Sequence, residues 1–269
     1  MYLWKCFDKT SQPSTFTLQV QFMFLRRSHR PLFRFAAFRS LTGHKPVYDI
    51  VILDVEATGT SPSSDKVIEV AALKIKDGYT TEQYSCLINP GTKLSEDIVN
   101  LTKITQEMIT RAPKPETTLG RLASIIGDST VVAHNAQYDL KILAAEFRRN
   151  NIPMVPGFKK YLDESEQNKF IIGDDQVTHI CTLALSRRLY PDLDTHRLSD
   201  ITEKFNLLPP NAHHHRAGSD TIGTARLWVK MYADVTKKLG FCPPLKFFEE
   251  LMETKAKDVE KFIKTRSKQ

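Results

Sequence analysis

From Tyr48 to Gly59 the chain reads YDIVILDVEATG, an apolar run closed by a glycine turn, which predicts a central buried strand. The next stretch, KVIEVAALKIKDGYTTEQYSCLIN, holds two β-rich segments around Asp77-Gly78, a dipeptide suited to the positive φ angles of a tight hairpin. Helical text follows at about 95–111 and 116–127, with Pro113 and Pro115 between them, and STVVAHN then returns to a short strand. In Tyr138–Arg149 the apolar positions Leu140, Ile142, Leu143 and Phe147 share one side of a helix. Residues 151–178 form a charged, Pro- and Gly-containing interlude, of a length that in a compact domain is functional or disordered. Helices are expected again at 182–190, 199–205 and 216–239. A carboxyl-terminal amphipathic helix is expected within 241–269, with Phe248, Leu251, Met252, Val259, Phe262 and Ile263 on one stripe. Packing on its own domain explains that stripe more simply than docking to a partner. Hairpin strands followed by strand and helix alternation predict an α/β domain, a mixed sheet flanked by helices.

Composition changes this picture mainly at the amino terminus. The net charge of +7 suggests a nucleic-acid-binding surface until its distribution is followed, for residues 1–46 carry five Arg and three Lys against Asp8 alone. The remaining chain is formally neutral, so any basic groove on the domain must arise by sorting of charge in space. The leader is rich in Phe and Arg and nearly free of acid, with Arg27, Arg30 and Arg34 at helical spacing, although Pro31 interrupts the helix. That composition fits an organellar transit peptide and a mitochondrial destination, with a basic nucleic-acid-binding tail as the alternative and Met23 as a candidate second start. No run of 18 apolar residues exists, which argues against a membrane-spanning helix. Cys6, Cys86, Cys181 and Cys242 are scattered without a CxxC pair, which argues against a zinc knuckle or a disulfide framework.

The candidate chemistry lies in three places. Asp54 and Glu56, two apart at the end of the first strand, turn to the same face and suit a hard divalent cation, although acids also simply end strands. After the fourth strand the chain turns at His134-Asn135 into a helix with Asp139 in its first turn, where an acid also suits the helix dipole. In NAHHHRAGSD three consecutive histidines precede a helix that carries Asp220. The histidine run is open to three readings: a metal tract, a solvated stretch, or one catalytic residue with two neighbours. A zinc site at His213–His215 lacks nearby cysteines.

Taken together and in that order, DVEATG, HNAQYD and HRAGSD resemble the three motifs of the DEDDh, or DnaQ-like, 3′–5′ exonucleases, the family of the proofreading ε subunit of bacterial DNA polymerase III. The likeness runs from about Tyr48 to Met231 and includes CTLALSRRLYP and HRLSDI. The resemblance implies a ribonuclease H-like fold, a five-stranded mixed sheet with helices on both sides, over 47–240. It assigns Asp54, Glu56, Asp139 and Asp220 as ligands of two Mg²⁺ or Mn²⁺ ions. The family's H-x4-D spacing selects His215, and Ala57, Thr58, Gly59, His134, Asn135 and Tyr138 are expected around the terminal nucleotide. An aromatic such as Tyr138 suits stacking on a base or sugar, and equally well core packing. Three features depart from the family pattern: the long insertion at 151–178, which is placed to cover or frame the substrate, Ala57 where Thr is frequent, and two glycines, Gly218 and Gly223. Each glycine costs a helix about 1 kcal/mol relative to alanine, so close packing or a mobile histidine loop is expected there.

The chemistry agrees with that assignment. Two divalent ions about 4 Å apart supply a nucleophile at neutral pH and stabilise the leaving oxygen of a phosphodiester. Carboxylates are the hard oxygen ligands such ions need, and an imidazole titrates close enough to neutrality to take a proton from water. The expected protein is therefore a metal-dependent 3′–5′ exonuclease acting on single-stranded or frayed DNA ends in proofreading or repair. Its expected partners are nucleic acid and a polymerase or repair complex in trans. RNA end-trimming in an organelle is the alternative substrate reading, and a non-catalytic nucleic-acid-binding module is the alternative of another class, weakened by retention of all five motif residues.

Overall fold

The computed structural model describes residues 48–162, 167, 176–208 and 215–267. The basic leader, His213, His214 and most of 163–175 lie outside the described residues. Strands β1 (Asp49–Ala57), β2 (Val67–Lys76), β3 (Tyr79–Leu87), β4 (Thr130–Ala133) and β5 (His179–Cys181) form a single sheet in the order β3-β2-β1-β4-β5. β1, β2 and β3 are antiparallel neighbours, while β4 runs parallel to β1 and β5 parallel to β4. Asp77 and Gly78 both take positive φ, 50° and 76°, which gives the β2–β3 hairpin a turn twist that matches its strands. The mixed five-stranded sheet is the expected one.

β1 divides the interior because its side chains alternate between two layers. Val51, Leu53, Val55 and Ala57 join the core under α3 (Pro115–Ile126) and α4 (Ala136–Arg149). Ile50 and Ile52 face the other layer, which holds α5 (Thr182–Leu189), α6 (Leu198–Lys204) and the long α7 (Ala217–Leu239). Asp54 and Glu56 continue the Ile50–Ile52 parity, so β1 aims them toward the α7 side at its carboxyl end. β1, β4 and β5 are mutually parallel, and their carboxyl ends share one edge of the molecule.

Two helices expected as single elements are broken. The 95–111 segment forms α1 (Glu96–Thr102) and α2 (Gln106–Thr110), because Lys103 turns left-handed at φ 59° and Ile104 drops fully buried into the core. Ser95 and Thr105 each cap a following helix through the side-chain oxygen. The carboxyl-terminal segment forms α8 (Leu245–Glu253) and α9 (Val259–Arg266), separated at Thr254, which turns extended and accepts from Arg188 Nε at 2.9 Å. Both pack on the domain itself: Phe248 stacks with Tyr232 at 5.3 Å and meets Trp228 edge-on at 4.8 Å, and Tyr232 donates to the Pro243 carbonyl at 2.8 Å. No helix among the described residues is long and apolar enough to cross a membrane.

Part of the described insertion is buried in the core. A 3-10 helix at Pro156–Tyr161 buries Phe158 against Phe147 of α4, with ring centroids 4.9 Å apart, and Val155 and Leu162 are buried beside it. A β-carbon on Gly157 would lie 2.7 Å from Val131, so this turn is pressed against β4. Of the two helical glycines, Gly223 has the close packing expected, since a β-carbon there would meet Leu208 at 3.2 Å and Thr202 at 3.4 Å. Gly218 has only ordinary contact with Ser85 at 3.6 Å.

Candidate active site

The sheet's geometry assembles the site from three chain segments. β4 stops at Ala133, and its last backbone partnership with β1 is Val132 with Ile52, so the amide of Val55 lies beyond the ladder. Asp139, in the first turn of α4, accepts that amide at 3.2 Å. The turn into α4 is made by Asn135 in the left-handed region at φ 66°, a conformation asparagine tolerates, and its side chain is exposed. Between Glu56 and Ala57 the β1–β2 register slips, a bulge that ends regular pairing where the strand's carboxylates emerge.

Asp220, in the first turn of α7, is the third arrival. Its Oδ2 accepts the backbone amide of His215 at 2.8 Å, and His215 is itself left-handed at φ 61°. Single ligand atoms of Glu56, His215 and Asp220 all lie within 4.8 Å of one another. Asp54, two residues before Glu56 on β1, and Asp139, bound to the Val55 amide between them, border this triplet. Burial pushes the Asp54 carboxyl well up, and the charges of Asp139, Asp220 and Glu56 push it further. Asp139 is also raised, first by burial, with the Val55 amide opposing. Glu56 is pushed up to about 8 by burial and then by the charges of Asp220 and Glu69, while Arg216 opposes. All five motif residues therefore meet at one end of the sheet. His215 lies within ligand reach of Glu56 and Asp220.

Whether this cluster suits a cation can be judged from its partners. Among the described residues no cationic side chain forms an ion pair with Asp54, Glu56 or Asp139, and the nearby guanidinium of Arg216 is bound to Glu69 at 2.7 Å. Several carboxylates held close without a neutralising side chain are costly to charge. Hard oxygen donors in that state fit a divalent cation such as Mg²⁺ or Mn²⁺.

The residues expected around a terminal nucleotide divide into two groups. Asn135 is exposed and Tyr138 half-buried, with the Tyr138 hydroxyl donating to the Gly59 carbonyl at 3.0 Å. Thr58 is fully engaged: its hydroxyl donates to Asp65 at 3.1 Å and accepts the Lys66 amide at 3.0 Å. Gly59 is needed for space, because a β-carbon would lie 2.5 Å from the Asp65 carboxylate. Ala57 is buried. His134 is half-buried and bonded at both ring nitrogens. Its Nδ1 meets the Thr182 hydroxyl and its Nε2 the His196 carbonyl, each at 3.0 Å, so both ring nitrogens have protein partners. Burial holds its pKa down to about 4, which keeps the ring neutral.

Glu69 and Arg149 are site-shaping residues that sequence reasoning missed. Glu69 is buried on β2 directly opposite Glu56 and holds Arg216 beside the histidine loop. Arg149, at the end of α4, is paired with the buried Glu146 at 2.7 Å and donates to the carbonyls of Pro62 at 2.7 Å and Asp65 at 2.6 Å, clamping the loop after β1. The available signal was weak: an acid inside the apolar run VIEVAAL, and an Arg where a helix ordinarily favours basic residues.

The fold and the acid-lined end of its sheet define a ribonuclease H-like domain. The exonuclease (RNase T) family matches residues 51–228, and the chain belongs to this DnaQ-like family. The DNA polymerase III PolC-type protein of Bacillus cereus is 38% identical over 191 residues, covering 71% of this chain and 12% of that protein. Its namesake in Bacillus subtilis is 36% identical over 188 residues, covering 70% and 12%. The chain thus spans only about 12% of the length of the curated relatives it matches. Among solved structures, exonuclease I aligns with a TM-score of 0.55 at 17% identity, over 71% of this chain and 41% of that one. Escherichia coli exonuclease I in complex with a dT13 oligonucleotide aligns at 0.54 and 17%, over 72% and 43%. At these identities the likeness is one of fold.

Proposed function

We propose that this protein is a metal-dependent 3′–5′ exonuclease releasing 5′-mononucleotides from single-stranded or frayed DNA ends. The observation that carries the reading is the convergence of Asp54, Glu56, Asp139 and Asp220 with His215 at one end of the sheet, without protein cations to neutralise Asp54, Glu56 or Asp139 among the described residues. The four carboxylates would hold two Mg²⁺ or Mn²⁺ ions, which when bound supply a nucleophile at neutral pH and stabilise the departing 3′ oxygen. A ring nitrogen of His215, exposed beside Glu56 and Asp220, takes the proton of the attacking water. Asn135 and the Tyr138 ring border the place for the terminal nucleotide, and the loop Ala57–Gly59 faces it with its backbone.

DNA is favoured over RNA because the curated relatives are DNA polymerases. Their names also support action beside a polymerase carried on another chain, in proofreading or repair. The basic leader supports mitochondrial import, which mass spectrometry of the mature amino terminus from fractionated cells would check. The decisive experiment incubates the purified protein with 3′-labelled single-stranded DNA, the matched RNA and a mismatched primer, with Mg²⁺, Mn²⁺ or chelator. Mononucleotide release from DNA that chelator abolishes is the expected result. Release from RNA alone would transfer the activity to RNA ends, and no metal-dependent release from any substrate would leave a binding module.

A further inference from the structure

The carboxylate of Glu69 has a combination of properties that the cleavage chemistry does not use. It lies on β2 directly across from Glu56, with 3% of the residue exposed. Like charges directly opposite on neighbouring strands destabilise a sheet, and a buried carboxylate needs its oxygens satisfied. Three donors from one short segment meet this need: Arg216 Nε at 3.0 Å, Arg216 Nη2 at 2.7 Å and the backbone amide of Ala217 at 2.9 Å. That segment begins immediately after His215. The amide of His215 is in turn held by Asp220 at 2.8 Å, and His215 occupies the left-handed region that side-chain-bearing residues rarely adopt. Such a conformation persists only when its surroundings over-determine it, and here the surroundings are Asp220 on one side and the Glu69 contacts on the other.

We infer that Glu69 and Arg216 form a latch between β2 and the head of α7 that sets His215 and Asp220 against Glu56, making both of them positioning residues for the proposed hydrolysis. The inference rests on that functional reading and deepens it. The bidentate fork is what the geometry requires, since one guanidinium spans both oxygens of Glu69 while the Ala217 amide takes a second lone pair of Oε2. The same fork leaves Glu56, the cross-strand neighbour of Glu69, without that guanidinium as its ion-pair partner.

The test compares Glu69→Gln, Arg216→Met, Arg216→Lys and the double variant Glu69→Gln/Arg216→Met in two readouts. Misplacement of a catalytic group by about 1 Å can cost on the order of a hundredfold. The expected result is therefore a fall in kcat of about tenfold to a hundredfold for Glu69→Gln and Arg216→Met, with KM within about twofold of wild type. The double variant should fall no further than the worse single one, as residues acting as a unit do. Arg216→Lys keeps the charge but cannot span both oxygens, and should also be impaired. In backbone hydrogen exchange, the amides of His215 and Ala217 should lose protection while β1 and β2 keep theirs. A KM rise at unchanged kcat would make Arg216 a substrate contact and overturn the latch. So would full activity in Arg216→Lys, additive losses in the double variant, or loss of protection across the whole sheet. If wild type releases no nucleotide, the proposed function fails while exchange at 215–217 still decides the latch. If wild type is active and Glu69→Gln matches it in both readouts, the latch fails and the function stands.

Discussion

Glu56 and Glu69 face each other across the β1–β2 ladder, yet their surroundings are opposite. Glu69 accepts three hydrogen bonds and a full ion pair. Glu56 has no ion pair among the described residues, and burial with neighbouring negative charge pushes its carboxyl up to about 8. The same contrast separates His134, whose two nitrogens are both bound, from His215, which is exposed beside the acids. At this end of the sheet, groups tied to side-chain partners hold the architecture, whereas Asp54 and Glu56 have no ion pair among the described residues. A buried charge is tolerated without partners only where something other than the protein supplies them.

Removing an unsatisfied group should therefore harm activity more than stability. Asp54→Asn is expected to lower kcat by at least about 10³, the loss of several kcal/mol of transition-state stabilisation. In chelator its Tm should equal or exceed that of wild type, because a carboxyl pushed up by burial has been removed. A large drop in Tm with retained activity would break the contrast. His215→Ala is expected to lose about 10²–10⁴ in kcat with metal binding largely retained in titration calorimetry. His214→Ala, at a position outside the described residues, should keep most activity, and equal losses in the two would place the general base one residue away.

The pH dependence of the metal-free protein sharpens the comparison further. Glu56 is raised from an ordinary 4.5 to about 8, so the folded state retains a proton that the unfolded state releases. Its contribution to stability is present below pH 4.5 and lost as pH rises through about 8, an effect of the order of a few kcal/mol. Thermal melts in chelator should show this fall, Glu56→Gln should flatten it, and added Mn²⁺ should reverse it. His134 behaves in the opposite sense. Its pKa is lowered from 6.5 to about 4, so its contribution is present above pH 6.5 and lost as pH falls toward 4, by about 3 kcal/mol at most. Replacing it with Gln should flatten the acid limb of the melt while leaving kcat nearly unchanged. The smallest effect is expected of Tyr138→Phe, which loses one hydrogen bond to Gly59, worth about 1 kcal/mol. Its Tm should fall by a few degrees and KM rise a few-fold, with kcat nearly unchanged.

Much of this was legible in the chain. The apolar run before Asp54 marked β1, the Asp77-Gly78 pair marked the hairpin, and the period of two placed Asp54 and Glu56 on one face. The breaks at Lys103 and Thr254 were missed because each follows amphipathic text that continues beyond it, and the departures depend on Ile104 entering the core and on Thr254 meeting Arg188. Within the described residues, the insertion expected to cover or frame the substrate includes a core turn that was not legible, since Phe158 finds Phe147 only once α4 is in place.

Motif order and strand periodicity are local properties, and the amino-acid sequence was sufficient for them. Partnership is not local. Glu69 and Arg216 are 147 positions apart, and nothing in either neighbourhood distinguishes a satisfied glutamate from an open one. His134 likewise acquires both its partners, Thr182 and His196, from chain 48 and 62 residues away. Which polar groups became scaffold and which remained open to chemistry was decided only when the sheet closed and α7 came to rest across it, because burial and hydrogen-bond satisfaction are set by packing.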